Sequence, residues 1–161
     1  MAITFLLLGS NLGDRNANME GSLELLECFV GDIQDKSSVY ESQPWGGVDD
    51  QPMYLNQVIR METDLSPEEL MLTNQQIEEK MGRYETIRWG ARMMDIDILY
   101  YDDKVIQSNH LTIPHLQIQN RLFTLIPLAE IAPDYVHPLL KKTNTELLNK
   151  CTDKLGVKLF A

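Results

Sequence analysis

An α+β sandwich, with a mainly antiparallel sheet and helices packed on one face, is the fold class this sequence predicts. Three observations carry the prediction. Short apolar runs alternate with helical patterns. Ser66-Pro67-Glu68-Glu69 is a strong helix start. Residues 93–101 alternate between carboxylates and large apolar side chains, as a strand does.

Residues 3–8 are a continuous apolar run ended by Gly9-Ser10-Asn11, which reads as a buried strand and a turn. A helix follows, with Asp14 as N-cap and Met19, Leu23, Leu26 and Val30 at helical spacing up to Gly31. Residues 33–40 read as one irregular strand, polar enough to lie near an edge. Pro44, Gly46, Gly47, Asp49, Asp50 and Pro52 make residues 43–52 a long loop, the kind that carries function. Residues 54–62 alternate as a strand, with Leu55, Ile59 and Met61 on one side and Tyr54, Asn56 and Val58 on the other. In the next helix Ser66 is the N-cap, Pro67 takes the first helical position and Glu69 closes a capping box; Leu70, Ile77 and Met81 share a face, and Gly82 stops it. Met94, Ile96 and Ile98 then oppose Asp95, Asp97 and Leu99 on a strand expected to be central, and Asp102-Asp103 turn the chain.

Strand, helix, strand, strand, helix, strand is the ferredoxin-like βαββαβ order. Beyond it residues 111–114 are extended, and Asn120 is a candidate cap for a short helix with Leu122, Phe123 and Leu125. Pro127 is expected to interrupt or end that helix, and the C-terminal extension from Lys141 is weakly patterned.

With 161 residues and 43% hydrophobic content, one domain over residues 1–161 is expected, without a second, fused catalytic domain. The apolar runs fall far short of a bilayer span, and no basic segment followed by a long apolar stretch opens the chain, so a cytoplasmic protein without a membrane partner is expected. Cys28 and Cys151 are too few for a disulfide framework and fit a reducing compartment. A net charge of −10 argues against a nucleic-acid partner. An anionic small ligand stays possible, because Arg83, Arg88 and Arg92 crowd together and Arg121 lies in the same half.

Asp95 and Asp97, two apart on a strand, aim their carboxylates at one region, with Cα atoms about 7 Å apart. Carboxylates so placed repel unless a cation lies between them, and Mg²⁺, commonly held by one or two carboxylates together with substrate phosphates, is the natural candidate. Two such ions can be bridged by one pair in a phosphoryl-type transfer. Arg88 and Arg92 stand just before the pair and can clamp phosphate. The competing readings are a solvated Asp-x-Asp face and arginines that merely neutralise nearby carboxylates.

The motifs Gly9-Ser10-Asn11-Leu12-Gly13 with Arg15, Gln51-Pro52-Met53-Tyr54-Leu55-Asn56, Arg88-Trp89-Gly90-Ala91-Arg92 and Asp95-Ile96-Asp97-Ile98-Leu99 occur in this order. Leu111-Thr112-Ile113-Pro114-His115, Asn120-Arg121 with Phe123, Pro127-Leu128 and Glu130-Ile131-Ala132-Pro133 continue the series. Together they resemble the 6-hydroxymethyl-7,8-dihydropterin pyrophosphokinases of folate biosynthesis, from the first strand to about Pro138. The resemblance implies a Mg²⁺-dependent diphosphotransferase that moves the β,γ-diphosphate of ATP to the hydroxymethyl group of a reduced pterin and releases AMP. It implies two Mg²⁺ on Asp95 and Asp97, with Arg83 and Arg92 joining that pair in catalysis. Arg88, Trp89, Arg92, His115 and Arg121 would serve the ATP site, with Gln75, Glu78, Ile98 and Thr112 around the adenosine. Small-molecule partners and a monomer or weak homodimer are expected.

The pterin site also reads from side chains. Tyr54 and Phe123 can sandwich a flat heterocycle, Asn56 offers both donor and acceptor, and the loop at Ser42, Pro44 and Trp45 would supply backbone groups. The resemblance implies that the loop carrying Trp89 closes over the substrates. For Tyr54 and Phe123 ordinary core packing is the competing reading. The turn at residues 9–13 lacks a following Gly-Lys-Ser/Thr and reads as structural. Departures from the family pattern are Arg83-Tyr84-Glu85-Thr86-Ile87, which carries fewer basic residues, Ala91 in place of a common proline, and Leu116 where some members have an aromatic ring. Another Mg²⁺-dependent nucleotide transferase and a non-catalytic binding module are the rival functions.

Overall fold

The computed structural model describes residues 1–44, 51–82 and 93–160. Strand β1 (Ala2–Ser10) is apolar on both faces and lies inside the sheet, paired antiparallel with β4 (Tyr54–Thr63) on one side and β5 (Asp95–Tyr101) on the other. The polar stretch after helix α1 (Arg15–Phe29) is two strands rather than one, β2 (Gly31–Lys36) and β3 (Tyr40–Ser42), both paired with β4. Ser37 breaks them apart: its backbone N–H donates to Val58 O and its hydroxyl accepts from Val58 N, both at 2.9 Å, so a side chain takes over part of the ladder.

Helix α2 (Pro67–Lys80) starts as its sequence dictates, with the Ser66–Glu69 capping box formed in both directions, and stops before Gly82 at φ 87°, a left-handed position that favours glycine. Helices α1 and α2 cover one sheet face, burying Leu6, Leu8, Leu26, Leu55, Ile59, Met61, Leu70, Ile77, Ile96 and Ile98. The parity expected for residues 54–62 holds, since Val58 packs on the opposite face with Phe5, Leu7, Leu99 and Tyr100.

That opposite face is not left bare. It is covered by α3 (Leu122–Ile131) and α4 (Asn144–Lys150), through Leu125, Leu128 and Leu147. Pro127 lies within α3 and does not end it; the proline is buried beside Leu128 and Leu125, and tertiary burial outweighs the lost backbone bond. Asn120 does not cap α3. It closes a 3₁₀ turn (Ile118–Asn120), and Arg121 stands at the cap position, its side chain not serving as the cap of α3. The weakly patterned tail holds α4, started by a Thr143–Glu146 capping box, and β8 (Val157–Leu159), which pairs with β3.

The main sheet runs β5-β1-β4-β3-β8, with β2 also on β4. Strand β5 is therefore an edge and not the central strand expected. Its buried isoleucines owe their cover to the α2 layer, and other groups occupy its free backbone edge. Glu78 accepts the Ile96 N–H at 2.9 Å, and Leu99 O accepts the His115 N–H at 3.0 Å. A ribbon of β6 (Ile106–Gln107) and β7 (Thr112–Ile113) leads the chain back to that edge. Among the described residues no helix is long and apolar enough to cross a membrane.

Candidate functional site

Register decides which side chains meet. In an antiparallel ladder directly opposed residues share a face. Asp97 opposes Leu7 and Asp95 opposes Gly9; across β1, Leu7 opposes Val58 and Gly9 opposes Asn56. Asp95, Asp97, Gly9, Asn56 and Tyr54 thus stand on one face, the face on which Phe123 of α3 packs. Asn56 and Asp95 flank Gly9 at about 10 Å from strand to strand. Gly9 has no side chain to fill that space: a Cβ there would touch Tyr54 Cδ1 at 3.4 Å and Asn56 Oδ1 at 3.8 Å. Asn56 is buried and donates from Nδ2 to Ser42 Oγ at 2.8 Å, which fixes its amide.

A second concavity opens at the β5 edge. Its lining brings Asn74, Gln75 and Glu78 of α2 together with Ile96, Asp97 and Ile98, and with Leu111, Thr112 and His115 of the returning segment; its volume is about 230 Å³. Asp97 belongs to both places, lining the cavity and standing on the platform face.

Electrostatics tie the two together. Arg121 is 8% exposed, its guanidinium carbon 5.4 Å from the centroid of the Phe123 ring. Burial lowers its pKa, while the nearby carboxylates of Asp97 and Asp153 work in the opposite direction. Burial, reinforced by the charge of Arg121, pushes the His115 imidazole down to about 4, so the ring is neutral at pH 7. Its Nδ1 accepts the Gln117 N–H at 3.1 Å, which leaves the proton on Nε2 as a donor.

Of the residues expected at a metal or nucleotide site, Asp95, Asp97, Gln75, Glu78, Ile98, Thr112, His115 and Arg121 are described, and most line this cavity. Glu78 is also the cap on the β5 edge, a role its sequence position alone does not disclose. Ser42, Tyr54, Asn56 and Phe123 gather on the platform, with Pro44 at the start of the loop beyond Ser42. Trp45, Arg83, Arg88, Trp89 and Arg92 lie outside the described residues. Among the described residues no set of three His, Cys, Asp or Glu converges as a closed metal site.

Asn74 is the residue that sequence reasoning missed. It is 3% exposed, lines the cavity, and its amide meets no hydrogen-bond partner among the described residues. The available signal was its helical spacing: Leu70, Asn74 and Glu78 recur every four residues, placing two polar side chains on a buried stripe.

The fold and site define an α+β protein in which two carboxylates on a sheet edge stand between a cavity and an aromatic platform. Residues 5–133 match the family described as 7,8-dihydro-6-hydroxymethylpterin-pyrophosphokinase (HPPK). Two proteins named 2-amino-4-hydroxy-6-hydroxymethyldihydropteridine pyrophosphokinase are similar. The one from Aquifex aeolicus is 43% identical over 142 residues, covering 88% of each chain. The one from Haemophilus influenzae is 39% identical over 160 residues, covering 99% of each. The fold resembles a crystal structure of Plasmodium falciparum HPPK-DHPS with pterin and p-hydroxybenzoate, with a TM-score of 0.74 at 21% identity over 92% of this chain and 43% of the longer one. The present chain thus spans less than half of that solved chain. The chain belongs to the 7,8-dihydro-6-hydroxymethylpterin-pyrophosphokinase family.

Proposed function

We propose that this pyrophosphokinase of folate biosynthesis moves the β,γ-diphosphate of ATP onto the hydroxymethyl oxygen of 6-hydroxymethyl-7,8-dihydropterin, releasing AMP, with Asp95 and Asp97 as Mg²⁺ ligands. The observation that carries this reading is the position of Asp97, shared between the edge cavity and the Tyr54–Asn56 face. ATP seated in the cavity beside Ile98 and Thr112 would run its phosphates past Asp97 toward the platform. A pterin between Tyr54 and Phe123 would present its hydroxymethyl group from the other side.

The donor set suits Mg²⁺: two carboxylates of one strand parity at a sheet edge, both supplying hard oxygen donors. When bound, the metal supplies charge neutralisation along the triphosphate. The chain's own groups do the rest. Arg121 keeps its charge and stabilises negative oxygens, and neutral His115 donates from Nε2 to a phosphate oxygen without acting as a base. Asn56, its Nδ2 engaged by Ser42, offers Oδ1 to the pterin edge. The bond formed joins the hydroxymethyl oxygen to the β-phosphorus; the bond broken links that phosphorus to the oxygen retained by AMP. On the family resemblance Arg83, Arg88 and Arg92 are assigned to the phosphates, Trp89 to closure over the substrates and Trp45 to the pterin loop.

The deciding experiment is incubation with Mg²⁺, ATP and the hydroxymethyl dihydropterin, followed by nucleotide analysis. AMP in step with pterin diphosphate is expected, whereas ADP would mark an ordinary kinase and overturn the proposal. Repeating the assay with chelator tests the metal.

A further inference from the structure

The glycine-rich turn after β1 takes no part in the chemistry above, yet its side chains reach the segment that delivers Tyr54 and Asn56. Asn11 is fully buried and donates from Nδ2 to Gln51 Oε1 and to Pro52 O, each at 3.1 Å. Arg15, the first residue of α1, donates from one terminal nitrogen to Glu41 Oε2 at 2.7 Å and to Met53 O at 2.9 Å. The turn itself is fixed: Asn18 Nδ2 donates to Leu12 O at 2.9 Å and to Ser10 Oγ at 3.2 Å, and Gly13 takes φ 71°.

These contacts fall where the sheet's own ladder stops. Among the described residues the β3–β4 pairing ends at Ser42 opposite Tyr54, and Pro52 and Met53 lie beyond its last rung. Strand ends without ladder bonds open readily. Here the carbonyls of Pro52 and Met53 are held from the β1–α1 turn instead. The same guanidinium reaches Glu41, between Tyr40 and Ser42 on the neighbouring strand, and so spans both strands at their open end. Charge assistance makes the Glu41 contact the stronger kind of hydrogen bond. The Phe160 ring lies 5.6 Å from the Arg15 guanidinium carbon, and Phe160 N–H donates to Val39 O at 2.8 Å, so the C-terminal residues back the arrangement.

We propose that Arg15, assisted by Asn11, is a positioning residue for the pterin platform: it fastens the end of β3 to the start of β4 and holds Ser42, Tyr54 and Asn56 in their binding geometry. The inference rests on the pyrophosphokinase reading above. Arg15 touches neither the reacting atoms nor the edge cavity, so its loss should act on one substrate and spare the other.

The test is steady-state kinetics with each substrate varied in turn, on wild type, Arg15→Met and Arg15→Lys. In Arg15→Met the KM for the pterin is expected to rise about tenfold or more, while the KM for ATP stays within about twofold. Arg15→Lys keeps a cation for Glu41 but not the planar fork, and should show most of the same loss. Should Arg15→Met not fold, the lysine variant carries the test. Hydrogen exchange at residues 40–42 and 51–56 should quicken in a variant with this defect, while α2 and β5 stay protected. Unchanged pterin KM in a folded variant, or equal rises for both substrates, overturns the inference and leaves the pyrophosphokinase reading intact. Wild type that makes no AMP from the pterin overturns that reading, and this inference with it.

Discussion

The pterin platform and the nucleotide cavity meet at Asp97, yet they are built by different means. The platform is a product of strand parity. Tyr54 and Asn56 on β4, Gly9 on β1, and Asp95 and Asp97 on β5 share a face because pleated strands alternate and antiparallel register aligns them. The cavity is a product of packing between distant segments: α2, the free edge of β5, and the return through Leu111, Thr112 and His115. A face set by alternation within each strand needs only the register between strands to complete it. A cavity assembled from three segments exists only once all three have docked, and that docking is what buries His115 and holds it neutral.

The sharpest test of how these regions are joined is Asp97→Ala, because Asp97 belongs to both. Turnover should fall by about 10³-fold, while the thermal midpoint moves little, since removing one of two like charges relieves repulsion and Asp153 still faces Arg121. Near wild-type kcat would break the link between platform and cavity.

Acid should injure the cavity side first. His115 titrates near 4 in the folded chain against an ordinary value of 6.5. The unfolded chain therefore binds a proton that the folded one refuses, and stability is full above about 6.5 and declines as pH falls toward 4, by an amount of order 3 kcal/mol. His137, also lowered by burial, adds to the same limb. Denaturant melts across this range should show a shallower decline in His115→Gln; an identical slope would remove His115 from the account.

A platform substitution should separate the two substrates. Asn56→Ala removes the amide held by Ser42 and is expected to raise the KM for the pterin about tenfold, with that for ATP nearly unchanged. Equal effects on both would mean that the platform and the cavity form a single rigid unit.

The smallest expected effect is at the edge cap. Glu78→Gln keeps an acceptor for the Ile96 N–H but loses the charge, so stability should drop by about 1 kcal/mol, a few degrees in the melt. No change would show that the cap is not held by charge.

Much of this molecule was legible in its residues. The Ser66–Glu69 box, the Asp14 cap, the Gly82 stop and the two-sided pattern of residues 54–62 each act locally, through backbone hydrogen bonds and alternation, and each appears in the structure as its pattern requires. The division of residues 33–40 into two strands was hidden because Ser37 breaks the ladder through a bond to Val58, a residue far away in the chain. The Thr143–Glu146 capping box was present in the tail as a start signal, but the helix it opens is only seven residues long and its apolar pattern is correspondingly thin.

Alternation by itself determined that Asp95 and Asp97 share one face of their strand, and Tyr54, Asn56 and Val58 one face of theirs, because the period of a strand is a property of the backbone. Tertiary structure alone decided that β5 lies at the rim, that Pro127 is kept inside α3, that Asn74 and Glu78 face a cavity, and that Asn11 and Arg15 reach the entry to β4. Each of those outcomes is a contact between segments remote in sequence, and its free energy depends on neighbours that only the folded chain brings together.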